Sequence, residues 1–170
     1  HEGNLMARIL FVCTGNVCRS PMAEGLFRAA LDGKDDILVT SAGLSVMEGR
    51  PPSEHSVSVL QEVGVDITRQ RSSQLTEQLA KQATHIFAMT QGHKEAIEMI
   101  FPFAKEKTFL LRELAHGAEP DDAKHGLLDV PDPIGMGRDA YEATRDLIRE
   151  SLPAVLEFVR ETGSADTSPD

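Results

Sequence analysis

Short apolar runs alternate with stretches of helical periodicity along most of the 170 residues. Arg8 to Cys13 is apolar at nearly every position after the arginine, which predicts a strand buried on both faces. Ile37 to Ser41, His85 to Met89 and Thr108 to Leu111 read as three further strands. A helical pattern follows each one: Pro21 to Leu31 with Met22, Leu26 and Ala29 on one face, Glu54 to Val63, Gly92 to Ile100, and Asp139 to Arg160. Pro153 is expected to kink the last helix, whose Tyr141, Leu152, Leu156 and Val159 read as packing residues. Strand and helix in alternation predict an α/β fold. It is a single-domain three-layer sandwich, with a four-stranded parallel sheet, helices on both faces and a ligand site at the carboxyl ends of the strands.

The first strand ends in unusual company. Cys13-Thr14-Gly15-Asn16-Val17-Cys18-Arg19-Ser20 follows it directly, and Pro21 then opens a helix. A loop that feeds a helix N-terminus presents unpaired N–H groups and the positive end of the helix dipole, both of which favour an oxyanion. Gly15 lets the chain bend tightly, and Asn16 tolerates the left-handed backbone that successive inward N–H groups require. Arg19 can fold over the same space, where its planar fork would hold two phosphoryl oxygens. Cys13 is expected to react as a thiolate, because backbone donors and a guanidinium stabilise the anion, and Ser20 can donate a hydrogen bond to that sulfur. The loop from Thr14 to Ser20 is therefore a phosphate cradle with a nucleophile at its base.

Other uses of these residues fit less well. Cys13 and Cys18 could form a disulfide or half of a metal site, but there is no second cysteine pair. His55, His85, His93, His116 and His125 lack finger-like spacing, so no metal is expected. Cys18 could instead capture an oxidised Cys13 as a disulfide, or simply sit as a small residue behind the loop.

The string from Val12 to Glu24 resembles the signature of the low-molecular-weight protein tyrosine phosphatases. The likeness continues through Thr40-Ser41-Ala42-Gly43, Gly49-Arg50-Pro51-Pro52, Ala88-Met89 and Val130-Pro131-Asp132-Pro133, and covers about Arg8 to Val159. It implies a phosphatase that works without cofactor through a cysteinyl-phosphate, with Asp132 as the acid that protonates the leaving group and later activates water. Loop amides and Arg19 would supply the charge stabilisation that metal ions supply elsewhere. Pro131 and Pro133 stiffen the segment that carries Asp132, while Asp129, Asp121 and Asp122 read as solvated loop carboxylates. The resemblance also places Ser41 beside Asn16 as loop support, and Gln70 where the family usually has a supporting histidine.

Substrate preference is divided. Phosphotyrosine-specific members carry aromatic residues after Asp-Pro and on the loop after the Ser-Ala segment. Here those places hold Ile134, Gly135 and the stretch Leu44 to Met47. Ile134 and Met47 would make a softer apolar wall. The Asp-Pro-apolar-Gly pattern also resembles the bacterial protein arginine phosphatases, which favour threonine where this chain has Val17. The leading expectation is phosphotyrosine, with phosphoarginine as the alternative. Arsenate reduction would need further cysteines to relay a disulfide, and a non-catalytic phosphate-binding module would have no use for Cys13, Arg19 and Asp132 together.

The resemblance implies phosphorylated proteins as substrates, with phosphate or other oxyanions in the loop. A net charge of −10 argues against nucleic acid and anionic membranes, and no run approaches transmembrane length. Two cysteines in one reactive loop, with no recognisable leader, lead to the expectation of a cytoplasmic location. No motif speaks to oligomeric state. The domain is expected to span residues 6–162, with 1–5 a cloning remnant or an upstream linker and 163–170 a disordered tail.

Overall fold

A computed structural model describes residues 5–31, 36–115 and 117–166 of the chain. Four strands, β1 (Ala7–Cys13), β2 (Ile37–Gly43), β3 (His85–Ala88) and β4 (Thr108–Leu110), form one parallel sheet in the order β2-β1-β3-β4. β1 is central because it is apolar on both sides: only Arg8 escapes full burial. Its alternate residues feed two separate cores. Ile9, Phe11 and Cys13 face one, and Leu10 and Val12 face the other. Helices α1 (Arg19–Ala30), α2 (Glu54–Gln61) and α6 (Arg138–Asp166) cover the first face, packing Met22, Phe27, Leu60, Ile148 and Val155 onto it. Helices α3 (Glu77–Gln82) and α4 (Gln91–Ile100) cover the second through Ala80 and Ile97. A further short helix, α5 (Pro120–Lys124), lies exposed before the segment that carries Asp132.

The chain leaves β1 for β2 on one side of the sheet, whereas β3 lies on β1's other side. The strand order therefore reverses beside the carboxyl end of β1, where open α/β sheets leave a crevice. Cys13 is the last residue of that strand.

Several boundaries differ from the sequence expectation, each for a local reason. α1 begins at Arg19, so the loop is two residues shorter than a start at Pro21 implies. Ala29 is exposed, and Phe27 and Ala23 complete the buried face with Met22 and Leu26. α3 and α5 fall outside the expected elements. They are six and five residues long, too short for a periodic signal, and α3 is set by its Thr76 cap, whose side chain accepts from Leu79 N–H. α6 continues through Pro153, which leaves the Arg149 carbonyl without its usual helical donor. It runs to Asp166, past the expected boundary at 162, because its end is anchored: Thr162 Oγ1 lies 2.7 Å from His85 Nε2, and Gly163 abuts Met6. Residues 1–4 and 167–170, and with them most of the expected linker and part of the expected tail, lie outside the described residues.

One contact locks β2 against the loop. A Cβ on Gly43 would stand 2.5 Å from the Thr14 carbonyl oxygen and 2.5 Å from Val46 Cγ2, so only glycine allows this approach. Gly43→Ala is expected to lower unfolding stability by about 1–3 kcal/mol, the usual cost of overpacking. Urea denaturation measures it, and an unchanged midpoint at unchanged m-value would show that the loop yields without cost.

Candidate active site

The loop after β1 curls because its carbonyls are pulled outward. Cys13, Thr14 and Val17 carbonyl oxygens accept from the N–H groups of Leu44, Ser45 and Ser53 at 3.0, 3.0 and 2.9 Å. That turns the amide edge of the same peptides toward the concave side, where the free N-terminus of α1 also points. Asn16 makes the bend, at φ 58, the one non-glycine residue with positive φ among those described. Gly15 does not adopt such a conformation, and a Cβ there would meet only Val17 Cγ2 at 3.9 Å.

Asn16 is held by its own side chain. Its Nδ2 donates to Ser20 Oγ (2.7 Å) and Ser41 Oγ (3.0 Å), and its Oδ1 accepts from Ser73 N–H (2.9 Å). Ser41 in turn donates to Glu24 Oε1 at 2.6 Å, and Arg28 Nη2 donates to Glu24 Oε2 at 2.8 Å. The sequence reading missed Glu24: it stands four residues past Ser20 on α1, and only the pairing of β1 with β2 brings Ser41 to it. Gln70 does not join the network. Its side-chain oxygen is buried with no partner among the described residues, and the bonds expected of it come from Glu24 and the Ser73 amide.

Cys13 Sγ lies 2.9 Å from Ser20 Oγ and accepts from Asn16 N–H at 3.3 Å. Both cysteines are free thiols. Cys18 sits behind the loop, donating to Ser53 Oγ at 3.5 Å and lying 3.6 Å from the Tyr141 hydroxyl, which burial pushes up to about 12. Arg19 is buried and crosses from the loop to the Asp132 segment. Its Nη1 donates to the Val130 carbonyl at 3.0 Å, and its Nη2 stands 3.5 Å from Asp132 Oδ2. Its Nε–H is buried without a partner among the described residues, a donor suited to a phosphoryl oxygen. Asp132 itself is 43% exposed at the side chain and accepts from Ile134 N–H at 3.1 Å. Asp129 is structural: its Oδ1 accepts from Gln91 N–H at 2.8 Å.

These groups share a cavity of about 270 Å³, lined by the loop with Arg19 on one side and Asp132 and Ile134 on the other. Its apolar wall is Val17 and Ile134. Met47 is not among the lining residues: it is 66% exposed, with Sδ 3.3 Å from Arg50 Nη2. Gly49, at φ 79, and a bond from Ser72 Oγ to the Met47 carbonyl fix the backbone of its loop. A larger cavity, about 420 Å³, lies between α1 and α6 and is lined by apolar side chains with Arg149; it holds no nucleophile.

His93 also reaches the site unforeseen. It is 8% exposed, and its Nε2 pairs with Thr14 Oγ1 at 2.8 Å across 79 positions of sequence, a contact that no spacing pattern signals. Burial first, then the Arg19 cation, lower its pKa from 6.5 to about 4, against the opposing pull of Asp129 and Asp132.

A free thiol at the base of a curled loop, a buried guanidinium and an exposed carboxyl around one cavity are the groups of a phosphatase class in which cysteine attacks phosphorus. The chain belongs to the low molecular weight phosphotyrosine protein phosphatase family, whose model matches residues 8–165. It is 41% identical over 152 residues to a protein-arginine-phosphatase of Geobacillus stearothermophilus, covering 88% of this chain and 94% of the relative. The solved structure of the YwlE arginine phosphatase from that organism superposes with a TM-score of 0.80 at 38% identity, covering 96% of this chain and 99% of the other. A low molecular weight protein tyrosine phosphatase from T. tengcongensis superposes with a TM-score of 0.79 at 39% identity, covering 89% and 99%. No described helix is long and apolar enough to cross a membrane.

The His93 shift has a definite sign. The native ring stays neutral down to about pH 4, while the unfolded ring takes a proton near 6.5, so the unfolded state binds more protons between these values. Stability is expected to be full above pH 6.5 and to fall as pH drops toward 4. Thermal midpoints recorded across that window should fall less steeply in His93→Gln than in the wild type; parallel slopes would mean that His93 does not titrate as described.

Proposed function

We propose that the chain hydrolyses phosphotyrosine in proteins by two displacements at phosphorus. In the first, Cys13 Sγ attacks in line, the P–O bond to the tyrosyl oxygen breaks, and Asp132 gives that oxygen its proton. The phosphoryl group is then a thiophosphate ester on Cys13, held by the loop amides and Arg19. In the second, Asp132 takes a proton from water as the water oxygen attacks phosphorus; the P–S bond breaks, and inorganic phosphate and the thiolate are released. Ser20 Oγ, 2.9 Å from Cys13 Sγ, stabilises the sulfur as it leaves.

The observation that carries this reading is Arg19. One guanidinium spans the nucleophile loop and the acid segment that line one cavity, and its buried Nε–H has no partner among the described residues. The phenyl ring is read from Val17 and Ile134, an apolar mouth that welcomes an aromatic leaving group. A second reading, phosphoarginine, is supported by the name of the Geobacillus stearothermophilus relative and by the proximity of Asp132, whose carboxylate could accept from a guanidinium. We further infer a reducing, cytoplasmic setting, in which both free thiols persist.

Cys13→Ser is expected to abolish turnover of an aryl phosphate, and Asp132→Asn to lower kcat by about 10²–10⁴-fold, the range for loss of a general acid. Retained activity in Cys13→Ser would sink the cysteine mechanism. Paired rates on phosphotyrosyl and phosphoarginyl peptides decide the substrate. Faster phosphotyrosine hydrolysis is expected, and a large preference for phosphoarginine would replace the first reading with the second.

A further inference from the structure

His93 is a buried titratable side chain behind the cavity lining, and the two displacements leave it without a task. Its backbone is fixed by the cap of α4, where His93 N–H donates to Thr90 Oγ1 at 3.0 Å. From there its ring reaches the hydroxyl of Thr14, the residue directly after the nucleophile and part of the cavity lining. The first turn of α4 makes a second connection: Gln91 N–H donates to Asp129 Oδ1, three residues before Asp132. A single helical turn thus grips the nucleophile loop through His93 and the acid segment through Gln91.

The ring is poorly optimised for stability alone. Its Nδ1 is buried without a partner among the described residues, a cost that a plain packing residue would avoid. Its neutral state also suits the place. An imidazolium would add a second cation in the field of Arg19, whereas a neutral ring holds the Thr14 hydroxyl without adding charge.

We propose that His93 is a positioning residue for phosphoryl transfer: it fixes the Thr14 side chain in the cavity lining directly after Cys13, in register with the acid segment held by the same turn of α4. This rests on the phosphatase reading above. The Cys13 and Thr14 carbonyls are held separately by Leu44 N–H and Ser45 N–H, so the loop backbone has its own support, and what is left free without His93 is the Thr14 hydroxyl.

The test is steady-state hydrolysis of para-nitrophenyl phosphate by His93→Ala, His93→Leu and His93→Gln, with competitive inhibition by inorganic phosphate and thermal midpoints measured alongside. The Leu variant fills the volume without a hydrogen bond, and Gln can place a polar atom near the Nε2 position. Expected are a loss in kcat/KM of about tenfold in Ala and Leu, the scale of one hydrogen bond, a matching weakening of phosphate inhibition, and recovery in Gln to within about twofold. On a Thr14→Ala background, His93→Leu should cost nothing further. Leu as active as the wild type, or a full additional loss on Thr14→Ala, would overturn the proposal, as would a fall in thermal midpoint with kinetics unchanged. If Ala fails to fold, the Leu and Gln pair decides. Wild-type turnover that Cys13→Ser abolishes is the separate check on the phosphatase reading; without it both fall.

Discussion

The left-handed backbone of Asn16 is the constraint on which the rest of the site depends. A non-glycine residue in that region costs on the order of 1–3 kcal/mol. The three hydrogen bonds of its side chain, each contributing about 0.5–1.5 kcal/mol net, are of the size needed to offset it. Those bonds come from three separate parts of the chain: Ser20 on α1, Ser41 on β2 and the Ser73 amide after α2. The bend that aims the loop amides inward therefore exists only once sheet, helix and connecting loop have assembled. Glu24 and Arg28 extend the same support outward along α1 to the Val39 carbonyl on β2.

Arg19 supplies the second half of the design. A buried cation needs partners, and it finds one in the Val130 carbonyl and another in the Asp132 carboxylate. Those partners lie more than a hundred positions away, so the buried guanidinium at the end of the loop also sets where Asp132 stands. The strand order puts this within reach: β1 delivers the loop at the crevice, and Val130 N–H donates to the Met89 carbonyl just after the neighbouring strand β3. Cys13, Arg19 and Asp132 are thus referred to a common sheet rather than to one another alone.

Much of this was legible in the chain. β1, the cradle and the Asp132-Pro133 pair are carried by contiguous residues whose chemistry is local, and the structure places Cys13, Arg19 and Asp132 around one cavity. The failures share a cause. Met47 was expected at the mouth because its loop follows the Ser-Ala segment, but a left-handed glycine at 49 and a hydrogen bond from Ser72 fix the backbone of that loop, and Met47 is not among the lining residues. Gln70 was expected to support Asn16, yet a carboxylate on α1 is nearer to Ser41. Ala29 matched the helical stripe but is exposed, on the rim of the cavity between α1 and α6. Each error came from assuming that neighbours along the chain, or in a related pattern, remain neighbours in space.

By itself the sequence determined the alternation of buried strands and helices, the loop from Cys13 to Ser20 and the kinds of group that it carries, because hydrophobic period and backbone donors act over a few residues. Only the tertiary structure decided which groups hold the cradle in shape: Glu24 through Ser41, the Ser73 amide, and His93 across 79 positions to Thr14. Hydrogen bonds of this kind require two atoms about 3 Å apart, and that proximity is a property of the packed sheet and helices, not of any stretch of chain.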